Sequence, residues 1–323
     1  MSRLEDHWYR SSLTWLTILL LPLSWLFRAI VALRYFLYRC KIKKSTSFDV
    51  PVIVVGNLTV GGTGKTPFVI WLAHQLQEKN FRPGIVTRGV GGQKQLLPYW
   101  VDAAADPALV GDEAVLLARH AQCPVVVCID RVAAVNELLS KTQCNIVISD
   151  DGLQHYRLGR VMEIIMQDGA RKFGNGQLLP AGPLREPLER LKRANFIVVQ
   201  GDKNQAAFTM QLQGDELYSL KHHMQKMPLE NFHYQTVHAI AGIGNPERFF
   251  AALRQKNLTV IPHVFPDHYL YQRENIYFND NFPVIMTEKD AVKCFEFAGE
   301  EHWYLPVRAD VTPQLMEKIL DVV

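Results

Sequence analysis

The sequence predicts an α/β protein: a parallel sheet with helices on both faces, a smaller C-terminal α/β domain after it, and an N-terminal membrane-associated helix before it. Three observations carry that reading. From Pro51 onward, apolar β-branched runs alternate with segments of helical period, the pattern of strands buried on both faces of a parallel sheet. A glycine-rich loop joins the first such run to the first such helix. An uncharged stretch of 15 residues, Leu13 to Phe27, stands ahead of both.

A chain of 323 residues, 48% hydrophobic and 21% charged, is long enough for two modest domains or one large one. The net charge of +3 is small and evenly spread, which argues against a nucleic-acid surface, because such surfaces need a concentrated basic stripe. The five cysteines include no C-x-x-C pair, so neither a zinc site nor a disulfide framework is expected, and a reducing cytosol fits.

The N-terminal segment comes first. Leu13 to Phe27 is shorter than the roughly 20 residues a spanning helix requires, and Ala29 to Tyr38 continues apolar with Arg28 and Arg34 inserted. Arg28, Arg34 and Arg39 at helical spacing, with Trp8, Trp15, Trp25 and Tyr35 as interfacial aromatics, suit a helix lying in the membrane surface, with a true span and a plain core or dimer helix as the alternatives. Pro22 is expected to kink it. Glu5 and Asp6 argue against a cleaved signal peptide. The basic run Arg39, Lys41, Lys43, Lys44 places the following domain in the cytoplasm whether the helix spans or lies on the membrane.

Pro51 to Val55 reads as the first buried strand, and Thr66 to Glu78 as an amphipathic helix with Pro67 at an early position. Between them runs GNLTVGGTGKTP, residues 56–67. Its end matches the phosphate-loop pattern, but Thr59 stands where the first glycine of that pattern belongs. The remaining loop, Thr59, Val60, Gly61, Gly62, Thr63, Gly64, Lys65 and Thr66, retains what a phosphate needs: permissive glycines, backbone N–H groups and a helix N-terminus. Lys65 is expected to reach the β- and γ-phosphates, and the Thr66 hydroxyl a Mg²⁺ ion. The domain is thus P-loop NTPase-like.

The alternation continues through Gly84 to Thr87, a helix over 112–121, Pro124 to Ile129, a helix over 131–139, Asn145 to Ser149, Met162 to Met166 and Phe196 to Gln200. A second acidic element must follow a neighbouring strand to hold the metal's water shell. Asp150 and Asp151, in ISDDGLQH, suit this better than Asp130, which reads as a helix cap. The long Gly- and Pro-rich run over 174–187 has the character of a functional loop, with Arg185 suited to clamping phosphate. Residues 206–234 turn polar, with room for a small hairpin. A second β-α series begins at His238 and ends in a helix over 312–322. The division expected is 1–45 for the N-terminal helix and basic flank, 46–225 for the P-loop domain, and 226–323 for the smaller domain. By residue pattern alone, Asp112 and Glu113 read as a helix start, His268 as a surface histidine, and Gly242 to Pro246 lacks the third glycine of a dinucleotide site.

Taken in order, GNLTVGGTGKTP, TRGVGG, GDE, ISDDGLQH, FGNGQLLPAGPLREP, AIAGIGNPERF, FPDHY and MTEKDAVK run from Gly56 to Lys293. Together they resemble the tetraacyldisaccharide 4'-kinase family, the lipid A 4'-kinases of Gram-negative bacteria. That family carries the loop lacking the first glycine. One departure is Val90, where the family usually has tyrosine.

The resemblance implies transfer of the ATP γ-phosphoryl to the 4'-hydroxyl of a tetraacylated glucosamine disaccharide 1-phosphate. It implies Asp112 as base, oriented or assisted by His268, with Thr66, Glu113, Asp150 and Asp151 around Mg²⁺. Asn57, Arg88, Gln154, His155, Arg185 and Glu186 fall on the side of the substrate or transition state. A membrane-embedded lipid substrate, the cytoplasmic face of the bacterial inner membrane, no nucleic acid and no obligate protein partner complete the expectation. A membrane-tethered switch ATPase fits less well, since Val60 stands where that class has lysine; a GTPase lacks its D-x-x-G. A kinase for another membrane-bound sugar or polyprenyl alcohol is the remaining alternative.

Overall fold

The computed structural model describes residues 3–10, 12–201, 206–222 and 225–323. Among them is a nine-stranded sheet whose spatial order is Arg308–Val311, Phe208–Gln213, Phe196–Gln200, Met162–Asp168, Val52–Gly56, Ile146–Asp150, Pro83–Thr87, Val125–Val127, Tyr99–Val101. The seven inner strands are mutually parallel, and only the two edge strands run antiparallel. Val52–Gly56 is buried along its whole length, as its unbroken apolar run requires, because helices cover both sheet faces. Phe68, Leu72 and Leu76 of the helix Lys65–Glu78 fill one face. Val132, Val135 and Leu138 of Arg131–Lys141 fill the other.

A second, six-stranded sheet has the order Lys226–Pro228, Glu216–Ser219, His302–Leu305, Val284–Thr287, Thr236–Ala241, Thr259–Val264. Its core gathers Phe250 and Leu253 of the helix Pro246–Gln255 with Val237, Ala239 and Ile285.

The strand memberships differ from a clean division at 225. Glu216–Ser219 already belongs to the second sheet, where it pairs antiparallel with Lys226–Pro228. At the other end the chain leaves the second sheet after Leu305, and Arg308–Val311 pairs antiparallel with Phe208–Gln213 in the first. Val311, Leu315, Met316 and Ile319 then pack into the large domain's core. The smaller domain is therefore an insertion bounded by two crossings, and the C-terminal helix Gln314–Leu320 is part of the larger one.

The N-terminal segment forms a short helix, Arg3–Trp8, and a long one, Trp15–Arg39, which runs through Pro22 as a single element. Thr14 caps it in a reciprocal box with Thr17. At 25 residues it is long and apolar enough to cross a membrane. One stripe docks on the large domain: Ser24 Oγ donates to the Leu178 carbonyl at 2.8 Å, Arg34 donates to the Gln154 carbonyl at 2.9 Å, and the Arg193 guanidinium sits 3.8 Å from the centre of the Tyr35 ring. Tyr35 and Tyr38 pack on Tyr156. The rest, including Trp15, Leu19, Leu23, Leu26, Ile30 and Leu33, is exposed.

Candidate active site

The glycine-rich loop leaves the carboxyl end of the central strand Val52–Gly56, the place where open α/β sheets bind ligands. Gly61 and Gly64 have φ of 102° and 78°, so the loop depends on residues without a Cβ at these two turns. Asn57 is fully buried beneath the loop; its Nδ2 donates to the Thr59 carbonyl at 2.8 Å, and its Oδ1 accepts Lys65 Nζ at 3.1 Å. Thr59 makes a backbone bridge to Leu184, and Val60 N–H donates to the Pro183 carbonyl at 2.8 Å. The residue replacing the first glycine is thus held in extended pairing with the loop 174–187. The turn that would need glycine has moved to Gly61. The buried Thr63 hydroxyl has no hydrogen-bond partner among the described residues.

Two acids lie beside the loop because Ile146–Asp150 runs parallel to the central strand with Asp150 opposite Val55. Their environments separate them. Asp151 is pushed up by burial, but Lys65 at 3.7 Å and a two-pronged Arg185 contact at 2.9 Å on each oxygen more than offset this and hold it well below the carboxylate range. Asp150 is fully buried, and burial, followed by the nearby Glu113 charge, pushes it up to about 7. Its Oδ1 has no hydrogen-bond partner among the described residues.

A buried carboxyl with a free oxygen, neighboured by two further acids and the Thr66 hydroxyl's helix start, is the donor set that a divalent cation relieves. No group of three or more His, Cys, Asp or Glu ligands is assembled among the described residues. Mg²⁺ keeps several waters and takes one or two carboxylates plus phosphate oxygens, which the neighbouring acids can supply.

The smaller domain supplies the other half of the site. Asp112 begins the helix Asp112–His120 and is buried, and His268 Nδ1 lies 2.9 Å and 3.1 Å from its two oxygens. Burial pushes the Asp112 carboxyl up, but the His268 hydrogen bond with Lys289 and Lys293 brings it below its ordinary value. His268 moves oppositely: burial lowers it, the bond to Asp112 raises it further, and it ends above 6.5. Gly91 makes room for this contact, since a Cβ there would lie 2.5 Å from His268 Nδ1. Gly244 of the second domain sits against the phosphate loop, where a Cβ would meet Gly62 N at 2.2 Å. The Gly242 to Pro246 turn therefore packs on the nucleotide loop of the other domain.

The structure brings Asp112, Glu113, Asp150, Asp151, Lys65, Arg185 and His268 to one region. Arg88 follows the strand Pro83–Thr87, is exposed, and has no hydrogen bond or ion pair among the described residues. Gln154 reaches toward the Asn57 carbonyl at 3.5 Å. His155 is pushed down to about 4 by burial and by Arg131, and faces Asp130 at 3.6 Å. Two residues of the expected substrate side are buried. Asn57 organises the loop, and Glu186 accepts the Tyr156 hydroxyl at 2.8 Å and pairs with Arg190 at 3.1 Å. Asp130 caps its helix by accepting Val132 N–H at 3.0 Å.

Residue patterns missed Lys289 and Lys293. Lys289 Nζ lies 3.0 Å from Glu113, 2.8 Å from Asp267 and 3.9 Å from Asp112; Lys293 bridges Asp112 at 3.5 Å and Asp290 at 3.1 Å. Their spacing of four in TEKDAVK puts them one turn apart, which was a legible sign of a shared face. Arg131, buried beside both acids with Nε unpartnered, left no such trace.

A model of the family described as tetraacyldisaccharide-1-P 4'-kinase matches residues 16–323. The tetraacyldisaccharide 4'-kinase of Nitrosococcus oceani is 48% identical over 317 residues, 98% of this chain and 93% of that protein. Its counterpart in Methylobacillus flagellatus is 48% identical over 98% of this chain and 94% of its own, and that of Coxiella burnetii 49% identical over 92% and 88%. Among solved structures, LpxK from Aquifex aeolicus, described as an "apo" form in complex with ATP, superposes with a TM-score of 0.78 at 29% identity, covering 95% of this chain and 99% of that one.

Proposed function

Because this chain belongs to the tetraacyldisaccharide-1-P 4'-kinase family, we propose that its site transfers the γ-phosphoryl of ATP to the 4'-hydroxyl of a tetraacylated glucosamine disaccharide 1-phosphate. The observation that best supports a kinase, as opposed to a simple nucleotide hydrolase, is the contact between Asp112 of the large domain and His268 of the small one. Phosphoryl transfer needs positioning, charge stabilisation and one group to take the acceptor's proton. Asp112 is that base. His268 holds its carboxylate in place, so the base is complete only when the domains meet, which keeps bulk water from competing as acceptor.

The loop N–H groups and Lys65 cradle the β- and γ-phosphates, and Arg88, exposed and without a hydrogen bond or ion pair among the described residues, meets charge on the transferred group. Thr66, Asp150, Asp151 and Glu113 would hold Mg²⁺, which would supply positive charge against the phosphates. Arg185 acts first on Asp151, keeping it ionised and aimed.

The long helix serves the lipid. Its docked stripe reaches from Ser24 to Tyr38 along the large domain, so its exposed apolar side lies in the plane of a membrane surface beside the site, at the cytoplasmic face of the inner membrane. The test is incubation with ATP, Mg²⁺ and the lipid disaccharide in detergent micelles. Label in the lipid at the 4'-position supports the reading, and ATP hydrolysis without labelled lipid overturns it.

A further inference from the structure

Successive peptide units of the phosphate loop are pinned one by one, and one pin comes from the N-terminal segment. The Thr59 carbonyl is held by Asn57, and the N–H of the same peptide, on Val60, by the Pro183 carbonyl. The next carbonyl, that of Val60, accepts the Tyr9 hydroxyl at 3.3 Å. Carbonyl and N–H of a trans peptide point in opposite directions, so fixing the Val60 carbonyl toward Tyr9 fixes the side to which Gly61 N–H points. Gly61, at φ 102°, is where the loop backbone is least restrained by its own side chain.

Tyr9 is itself held. The Arg171 guanidinium lies 4.9 Å from its ring centre and donates to the Gly244 carbonyl of the second domain. Trp8 beside it is buried; its Nε1 donates to the Pro180 carbonyl at 2.9 Å, and its own carbonyl accepts Asn175 N–H at 2.7 Å. Tyr9, Val60, Gly62, Asp168 and Arg171 line one narrow cleft against the loop.

We infer that Tyr9 is a positioning residue for the nucleotide: by holding the Val60–Gly61 peptide it presents Gly61 N–H to a phosphate oxygen and ties the N-terminal segment to the phosphate loop. The inference rests on the loop being the ATP site. Tyr9 precedes residue 16, where the family match begins. One consequence is practical. Deleting the N-terminal segment removes a loop pin together with the apolar helix, so loss of ATP binding in such a deletion says nothing about the membrane.

The test measures ATP–Mg²⁺ affinity and KM for ATP on the full chain in detergent micelles, for wild type, Tyr9→Phe and Tyr9→Ala, with hydrogen exchange over 59–64 as second readout. Tyr9→Phe keeps the ring and removes only the donor, so it is expected to fold. Its ATP binding should weaken roughly threefold to tenfold, the scale of one net hydrogen bond, with the loss carried by KM and with faster exchange at Gly61. Tyr9→Ala should lose more. Wild-type affinity in both variants overturns the inference, as does weakened binding carried wholly by general unfolding across the chain. Absence of ATP binding by the wild-type chain overturns the nucleotide reading instead.

Discussion

His268 of the small domain donates its Nδ1–H to Asp112 of the large domain at 2.9 Å. Asp112 is held below its ordinary value and His268 above it, so each favours the ionised form of the other. The pair's contribution to closure is present below about pH 6.5 and is lost as pH rises through the raised His268 value. On the acid side it is lost only as pH falls through the depressed Asp112 value. NMR titration of His268 should give a midpoint above 6.5, returning toward it in Asp112→Asn. A midpoint below 6.5 in the wild type would contradict the pairing.

Lys289 is the cation shared by Asp112, Glu113 and Asp267. Replacing it with methionine takes the ion-pair partner from Glu113 and removes one of the three basic groups facing Asp112. The rate of lipid phosphorylation should fall by about 10², the scale for removing one preorganised charge contact. Lys289→Arg, which keeps the charge, should recover part of it. Equal losses in the two variants would show that the ammonium's charge is not what matters.

Asp150 costs the fold something, because its carboxyl is buried with an oxygen unpartnered and its pKa is raised to about 7. The raised value means the protein loses stability as pH rises from the ordinary carboxylate range toward 7, where the unfolded chain ionises more readily. Asp150→Asn removes that cost. Its thermal midpoint at pH 7 should equal or exceed the wild type, while phosphorylation falls by on the order of 10². A lower midpoint would mean the carboxylate is structural.

The exposed side of the long helix separates membrane attachment from nucleotide binding. Leu19→Glu with Leu26→Glu places charge on the outward face, away from the Ser24 and Arg34 contacts. Pelleting with anionic vesicles should fall severalfold while ATP affinity holds, since neither residue touches the loop. Unchanged pelleting would place the membrane contact elsewhere.

Much of the nucleotide half was legible because its signals are local. An unbroken apolar strand, three glycines, a lysine and a helix follow one another within residues 51–78, and the two acids end the next strand in space. The other half depends on contacts that no periodicity encodes. Asp112 and His268 are 156 positions apart, and only the ordered set of family motifs joined them. Arg308–Val311 is four residues long and sits at a sheet edge, too short for its alternation to say which sheet it would join. The docked stripe of the N-terminal helix did leave a trace: Thr17 and Ser24, small polar residues two turns apart in an apolar run, are its two buried positions. Tyr9 left none, because its partner is a backbone carbonyl.

The claim that catalysis needs Asp112 and His268 to act as one unit is tested most directly by single-turnover lipid phosphorylation in Asp112→Asn, His268→Gln and the double variant, at saturating ATP and Mg²⁺. General-base catalysis of this kind is worth about 10² to 10⁴ in rate. If the two residues form one unit across the domain interface, the double variant is no slower than the slower single one. Losses that multiply, with each residue contributing its full factor in the absence of the other, would contradict it.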